Sequence, residues 1–440
     1  MATWKNRTKS LNFRASGAYA AINVLERTMD LNLTVMQSLA LAIAGMCHAL
    51  IGSVKLPLAK QLEIPESRVG QLISVFGFTL IPMAFAAGYF ADTVGRNLVV
   101  EAGFVLVIVS VLVLATLKSY KMALVSILLL GTGWSALVNV LNALQGPAFL
   151  SRDNVSVDNL PFAMNLGDFI FGMGAFIMPI VVTVMIKKAG LKTTFFSFAA
   201  LIAVPLVLCF SIDLNEYVQE FDSLKSEVAP TASAGAAVAT EAVEPKELGF
   251  GDLFSDSIVL LCCFAFFFHV PVEACVGAWA TTLMMDRGTT ESKATSLLSV
   301  FWLAFTVSRL IAALSLPAGS HEVAIIGFAI VLFAVVCGLI KSQKADSTNI
   351  LVVTAGLILG PIFPILIAFL VGHVDVSLQG RAIGLFFCIG GIGWALIPFL
   401  VGRQADKNGL QKSFYIVAGC VVGLMLTTTL LVSQIGSAGH

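Results

Sequence analysis

Gly88-Tyr89-Phe90-Ala91-Asp92-Thr93-Val94-Gly95-Arg96 ends one long apolar run and leads directly into the next. Each residue type has a physical use there. Gly88 and Gly95 lack a Cβ, so helix ends can approach closely and the chain can turn sharply. Asp92 can cap a helix N-terminus or pair with a cation between helices. Arg96 falls at a water boundary, where a long basic side chain snorkels. The stretch reads as a polar turn between two membrane-spanning helices.

The rest of the chain agrees. Of its 440 residues, 58% are hydrophobic and 12% charged, against roughly half and a quarter in soluble domains. A membrane-spanning helix takes about 20 mostly apolar residues, and runs of that length recur with short polar punctuation. They do not alternate every second residue as barrel strands do. The chain therefore reads as an all-α polytopic membrane protein. Net charge is zero, which gives no footprint for nucleic acid. Cys47, Cys209, Cys262, Cys263, Cys275, Cys337, Cys388 and Cys420 lie in or beside apolar runs without a Cys-x-x-Cys pair, and read as small buried thiols. No P-loop and no His-Glu-x-x-His motif occurs, so neither an enzyme, a metal nor a cofactor is expected. The first apolar run opens near Val35, after Lys5, Arg7, Lys9, Arg14 and Arg27. No cleavable signal is expected, and the first span serves as its own insertion signal.

The apolar runs predict twelve spans, at about 36–58, 69–91, 97–117, 122–149, 161–187, 193–213, 253–285, 295–316, 322–341, 349–373, 381–402 and 413–434. Between the sixth and seventh, residues 214–249 are acidic and then rich in Ala, Ser, Thr and Pro, the character of a solvated linker. The expected organisation is an N-terminal segment 1–35, a six-helix half 36–213, a linker 214–249 and a second six-helix half 250–440. Gly402, Asp406 and Gly409 repeat the spacing of Gly88, Asp92 and Gly95 after the eleventh span.

Ionisable groups at membrane depth are costly, so they line cavities or find partners. Asp168, inside the fifth span, reads either as a substrate or coupling-ion contact or as one half of a structural pair, with Lys55 the candidate cation. Span seven holds His269-Val270-Pro271-Val272-Glu273 and Trp279. Pro271 removes an amide donor and is expected to break the helix, freeing carbonyls toward a cavity near Glu273. Trp279 joins an apolar face to an N–H donor, suited to stacking on a sugar ring or to an interface belt. His269 and His48 add neutral polar groups. Asn139, Asn142 and Gln145 are three apart and share a helix face. Their amides suit a hydroxyl-rich ligand or helix–helix hydrogen bonds. Arg309 and Trp302 share a face of span eight, with Arg309 expected to pair at the inner helix end.

The Gly-x-x-x-Asp-x-x-Gly-Arg turn resembles the signature loop of the major facilitator superfamily. Within it, Gly360-Pro361-Ile362-Phe363-Pro364 and Gly390-Gly391-Ile392-Gly393-Trp394-Ala395-Leu396-Ile397-Pro398 resemble elements of the fucose, galactose and glucose permeases, as do His269–Glu273 and Asn165-Leu166-Gly167-Asp168. The resemblance implies two six-helix halves that work as a monomer by alternating access on a small polar solute, a hexose among them, with H+ or Na+ as coupling ion. It also implies cytoplasmic termini and linker in a bacterial inner membrane. The Lys and Arg count runs against that orientation, because Lys118, Lys121, Lys187, Lys188, Lys192, Lys341, Lys344, Arg403, Lys407 and Lys412 would then lie outside. Two acids that fucose permeases carry are absent, with Ser53 and Val138 in their places. Asp168 or Glu273 is left to take that role. The alternatives are an exporter of an anionic or amphipathic metabolite, to which Lys55 and Arg309 would be suited, and a non-transporting sensor on the same fold.

Overall fold

A computed structural model describes residues 30–228 and 249–438. The expectations for 1–29 and for 229–248 lie outside the described residues. The first half runs α1 Leu31–Ser53, α2 Lys55–Leu62, α3 Glu66–Thr93, α4 Arg96–Ala115, α5 Tyr120–Ala143, α6 Gln145–Phe149 and α7 Leu160–Cys209. Helix α8, Leu214–Val228, follows. The second half runs α9 Phe250–Ser255, α10 Ser257–Met285, α11 Glu291–Ser315, α12 His321–Lys341, α13 Ala345–Leu359, α14 Ile362–His373, α15 Gln379–Asn408 and α16 Leu410–Ala438.

Among the described residues, eleven helical segments are long and apolar enough to cross a membrane. One of them is α7, whose Gly190 has φ 80 and ψ 166. That left-handed conformation suits glycine and no β-carbon-bearing residue, and it divides α7 into two passes. Twelve passes result. The first begins earlier than expected, at Leu31, because the Asp30 side chain caps it, accepting from Asn32 N at 2.7 Å.

Three expectations are corrected by packing. Residues 214–228 are not solvated linker but an amphipathic helix, burying Leu214, Val218 and Phe221, one stripe at i, i+4 and i+7. The Asn215 Oδ1 accepts from Arg96 N at 2.9 Å, and Tyr217 Oη donates to Asp30. That bond to the carboxylate, followed by burial, pushes the Tyr217 hydroxyl up to about 12. Pro271 does not break α10, which runs through it. The carbonyl it frees, Phe267 O, meets the backbone of α15 instead of a cavity: a Cβ on Gly393 would lie 2.4 Å from it. Arg96 does not snorkel. It is 5% exposed, caught by groups of the other half.

Within the first half α1 and α7 pack backbone to backbone. A Cβ on Gly174 would lie 1.9 Å from Ala42 O, and one on Gly45 would lie 1.9 Å from Phe171 O. Small residues allow this approach in lipid, where no hydrophobic effect drives helices together. Gly174→Val is therefore expected to lose most folded protein, while Gly436→Val, with nothing within 4 Å of the added carbon, keeps wild-type yield; monodisperse yield on size exclusion measures both. Across the halves, α3 lies against α15 and α7 against α11.

Candidate functional site

The signature turn closes one face of the molecule. Asp92 ends α3 and caps the start of α15 in the other half. Its Oδ1 accepts from Gly380 N at 2.8 Å, and its Oδ2 from Arg381 N at 2.8 Å and Arg381 Nε at 3.1 Å. Both roles open to Asp92, cap and cation partner, are used at once. Arg96 Nη2 donates to Val376 O at 2.9 Å and stands 3.9 Å from Asp92 Oδ1. Gly95, at φ 110, makes the turn. Gly88 lets α3 touch α15, since a Cβ there would lie 2.2 Å from Gly380 O. Asn139 belongs to this closure, its Nδ2 donating to Gly380 O at 3.0 Å.

Further from that face, α7 and α11 meet at Asp168 and Arg309. Arg309 Nη1 donates to the Asp168 backbone carbonyl at 3.1 Å, and its Nε to Gly360 O at 3.1 Å. The second acceptor exists because Pro364, four residues on from Gly360, has no N–H to claim it. The guanidinium also lies over the Phe305 ring, 4.4 Å from its centroid. The cation beside Asp168 is thus Arg309 and not Lys55, which starts α2. One turn further, Gly172 and Thr306 touch. Beyond them Phe176, Ile177 and Trp302 are exposed, the Trp302 ring lying against Gly277 of its own half. The halves are closed at the signature-turn face, and their contacts reach inward as far as Gly172 and Thr306.

In the space above this floor stand His269 and Glu273, one turn apart on α10. His269 is fully buried, Glu273 is partly exposed, and Nε2 and Oε2 are 3.9 Å apart. From the first half comes a ring of aromatics around His48: Trp134 at 5.5 Å, Phe171 at 6.0 Å and Phe76 at 6.2 Å between centroids. His48 is exposed although it lies within α1. Phe76 and Phe171 sit on α3 and α7, the first-half helices that border the second half, so His48 faces the cleft.

The structure thus brings Arg309 to Asp168 and sets His269 beside Glu273. Asn142 and Gln145 lie beneath, their amides 3.2 Å apart, Gln145 against Gly167. Trp279 stands apart, its ring over Gly402. Sequence reasoning missed the His48 ring, Arg381 as partner of Asp92, and Gly360 as acceptor for Arg309. The missing amide of Pro364 was the available signal for the last.

A family model for the Major Facilitator Superfamily matches residues 38–398. "Bypass of stop codon protein 6" of Saccharomyces cerevisiae is 23% identical over 340 residues, which are 73% of this chain; the chain spans 66% of that relative's length. Among solved structures, the human organic anion transporter MFSD10 (TETRAN) has a TM-score of 0.66 at 15% identity, covering 90% of this chain and 99% of that one. The E. coli fucose:proton symporter FucP reaches 0.65 at 13% identity, covering 92% and 99%. The proton:xylose symporter XylE reaches 0.66 at 12%, covering 90% and 94%. These structural likenesses show the fold. With the signature turn, twelve passes in two halves and a family match over most of its length, the chain belongs to the major facilitator superfamily.

Proposed function

We propose that the protein is a membrane transporter, that its solute is small and hydroxyl-rich, a hexose among the candidates, and that the solute binds between His269 and Glu273 on one side and the aromatic ring around His48 on the other. One observation carries this reading. Asp168 Oδ2, Asn165 Oδ1 and both ring nitrogens of His269 are buried without a hydrogen-bond partner. Carboxylate and amide oxygens accept only, so a solute rich in O–H donors matches them. The flat faces of Trp134 and Phe171 suit the C–H face of a sugar ring. FucP and XylE, whose names specify sugar and proton, share the fold, but so does an organic anion transporter, and the fold itself does not choose. Arg309 speaks against an anion, because two of its donors are already given to backbone carbonyls.

In this reading Glu273 and Asp168 are the ion-coupling groups, for H+ or Na+. A carboxyl whose ion occupancy differs between the two facing states ties solute to gradient, since only differential binding shifts such an equilibrium. In this reading the closed face, with the start of α1, the end of α16 and α8, is cytoplasmic, and the protein acts as a monomer.

The test is uptake of labelled hexoses into proteoliposomes under imposed proton or sodium gradients. Gradient-dependent accumulation is expected, with Glu273→Gln retaining exchange but losing accumulation at least tenfold. Absence of hexose flux under every gradient removes the sugar reading.

A further inference from the structure

At the closed face a second cavity of about 200 Å³ lies in the seam between the halves, away from the central cleft. The first half contributes Val157 and Asp158, from the turn before α7. The second half contributes His321 and Glu322 at the start of α12, Phe369 and His373 near the end of α14, and Ile435 of α16. The seam is tight around it: a Cβ on Gly372 would lie 2.9 Å from Val157 Cγ1. His321 is 4% exposed and its Nδ1 has no partner. A buried imidazole nitrogen left unpaired is costly, and here its residue lines a space of about seven waters' volume.

The lining sets the chemistry of an occupant. Asp158 and Glu322 bring two carboxylates. His373 is already engaged, its Nε2 2.8 Å from Asp256 Oδ2. Asp256 also caps α10 through Ile258 N at 2.9 Å. Phe369 and Ile435 form an apolar wall. Among the described residues no three His, Cys, Asp or Glu side chains converge as a metal ion requires. The charge that fits is therefore that of an organic ammonium, with an N–H for His321 Nδ1 and a short hydrocarbon body for the wall.

We propose that this seam cavity is a regulatory binding site for a small organic ammonium, distinct from the transport site, and that its occupant holds the transporter closed at this face. The cavity is built from both halves, so it exists only while they are together here. A ligand that binds one state alone stabilises that state by mass action.

The probe is n-butylammonium chloride, titrated calorimetrically into the purified full-length protein, with sodium chloride and sodium butyrate as controls for ionic strength and charge sign. Saturable binding of butylammonium and none of butyrate is expected. Asp158→Asn with Glu322→Gln is expected to weaken it at least tenfold, and Gly88→Val, outside the cavity but forcing the seam apart, to weaken it as well. Independent of any variant, butylammonium is expected to slow amide deuterium exchange in 156–161 and 319–323 of the wild type. No saturable heat, unchanged exchange, a preference for butyrate, or equal affinity in the folded carboxylate variant overturns the proposal.

Discussion

Arg309→Met is expected to lower transport by at least a hundredfold and to reduce the yield of folded protein. Arg309 is 7% exposed, holds the carbonyls of Asp168 and Gly360, and is the cation beside Asp168. Methionine fills much of the volume and keeps contact with Phe305, so the loss is one of charge and donors. Removing one member of a buried charged set costs about 3–5 kcal/mol, mainly because the remaining charge is left uncompensated. That range corresponds to two or more decades in an equilibrium constant. Arg309→Lys is expected to recover only part of the activity, because a single ammonium does not span two carbonyls on different helices as a guanidinium does. The double variant Arg309→Met with Asp168→Asn separates charge from scaffold. If the penalty is an orphaned carboxylate, the pair recovers folded yield relative to Arg309→Met alone, and the coupling in this cycle exceeds 1 kcal/mol. Size-exclusion yield and proteoliposome uptake, measured for all four proteins, decide it. Wild-type transport by Arg309→Met would show the guanidinium to be dispensable.

Much of this architecture was legible because lipid imposes strict local rules. Length and apolarity placed the twelve passes, and the turn at Gly88–Arg96 announced its own use. Errors arose where a local rule met a neighbour distant in sequence. Pro271 signals a broken helix, yet the carbonyl it frees is covered by Gly393. Arg96 signals a water boundary, yet Val376, in the other half, takes its guanidinium. Acidic composition over 214–228 signals solvent, while the Leu214, Val218 and Phe221 stripe, visible in the same residues, was outweighed. At the site, the types of residue were readable but not their partners. Lys55 and Arg309 are equally plausible cations for Asp168 by type. Only the packing of α11 on α7 brings Arg309 to it, and only the missing amide of Pro364 leaves it a second acceptor. His48 looked like an ordinary span residue because the rings around it come from three other helices.

Asp92→Asn is expected to open the closed face and lower net transport at least tenfold, with folding intact. The carboxylate receives two backbone amides and one guanidinium nitrogen across the halves. Charge-assisted bonds of this kind are worth about 1.5–3 kcal/mol each when made. An asparagine keeps one acceptor oxygen and turns an amide NH2, itself a donor, toward donors, so Gly380 N or Arg381 N loses its partner. A bias of about 2.7 kcal/mol shifts a two-state equilibrium about a hundredfold, enough to depopulate the closed form seen here. Amide exchange reports it directly: Gly380, Arg381 and the α15 turn that follows exchange faster in the variant, while α1, packed within the first half, does not change. Gly88→Val tests the same seam by the opposite means, adding repulsion where Asp92→Asn removes attraction, since its side chain would meet Gly380 O. If both variants speed exchange in α15 and slow transport, closure of this face is the shared cause. If only Gly88→Val does so, the seam is held by packing, and the hydrogen bonds of Asp92 contribute register, not stability. Unchanged exchange in both would mean that the closed form rests on the Arg309 contacts deeper in the molecule.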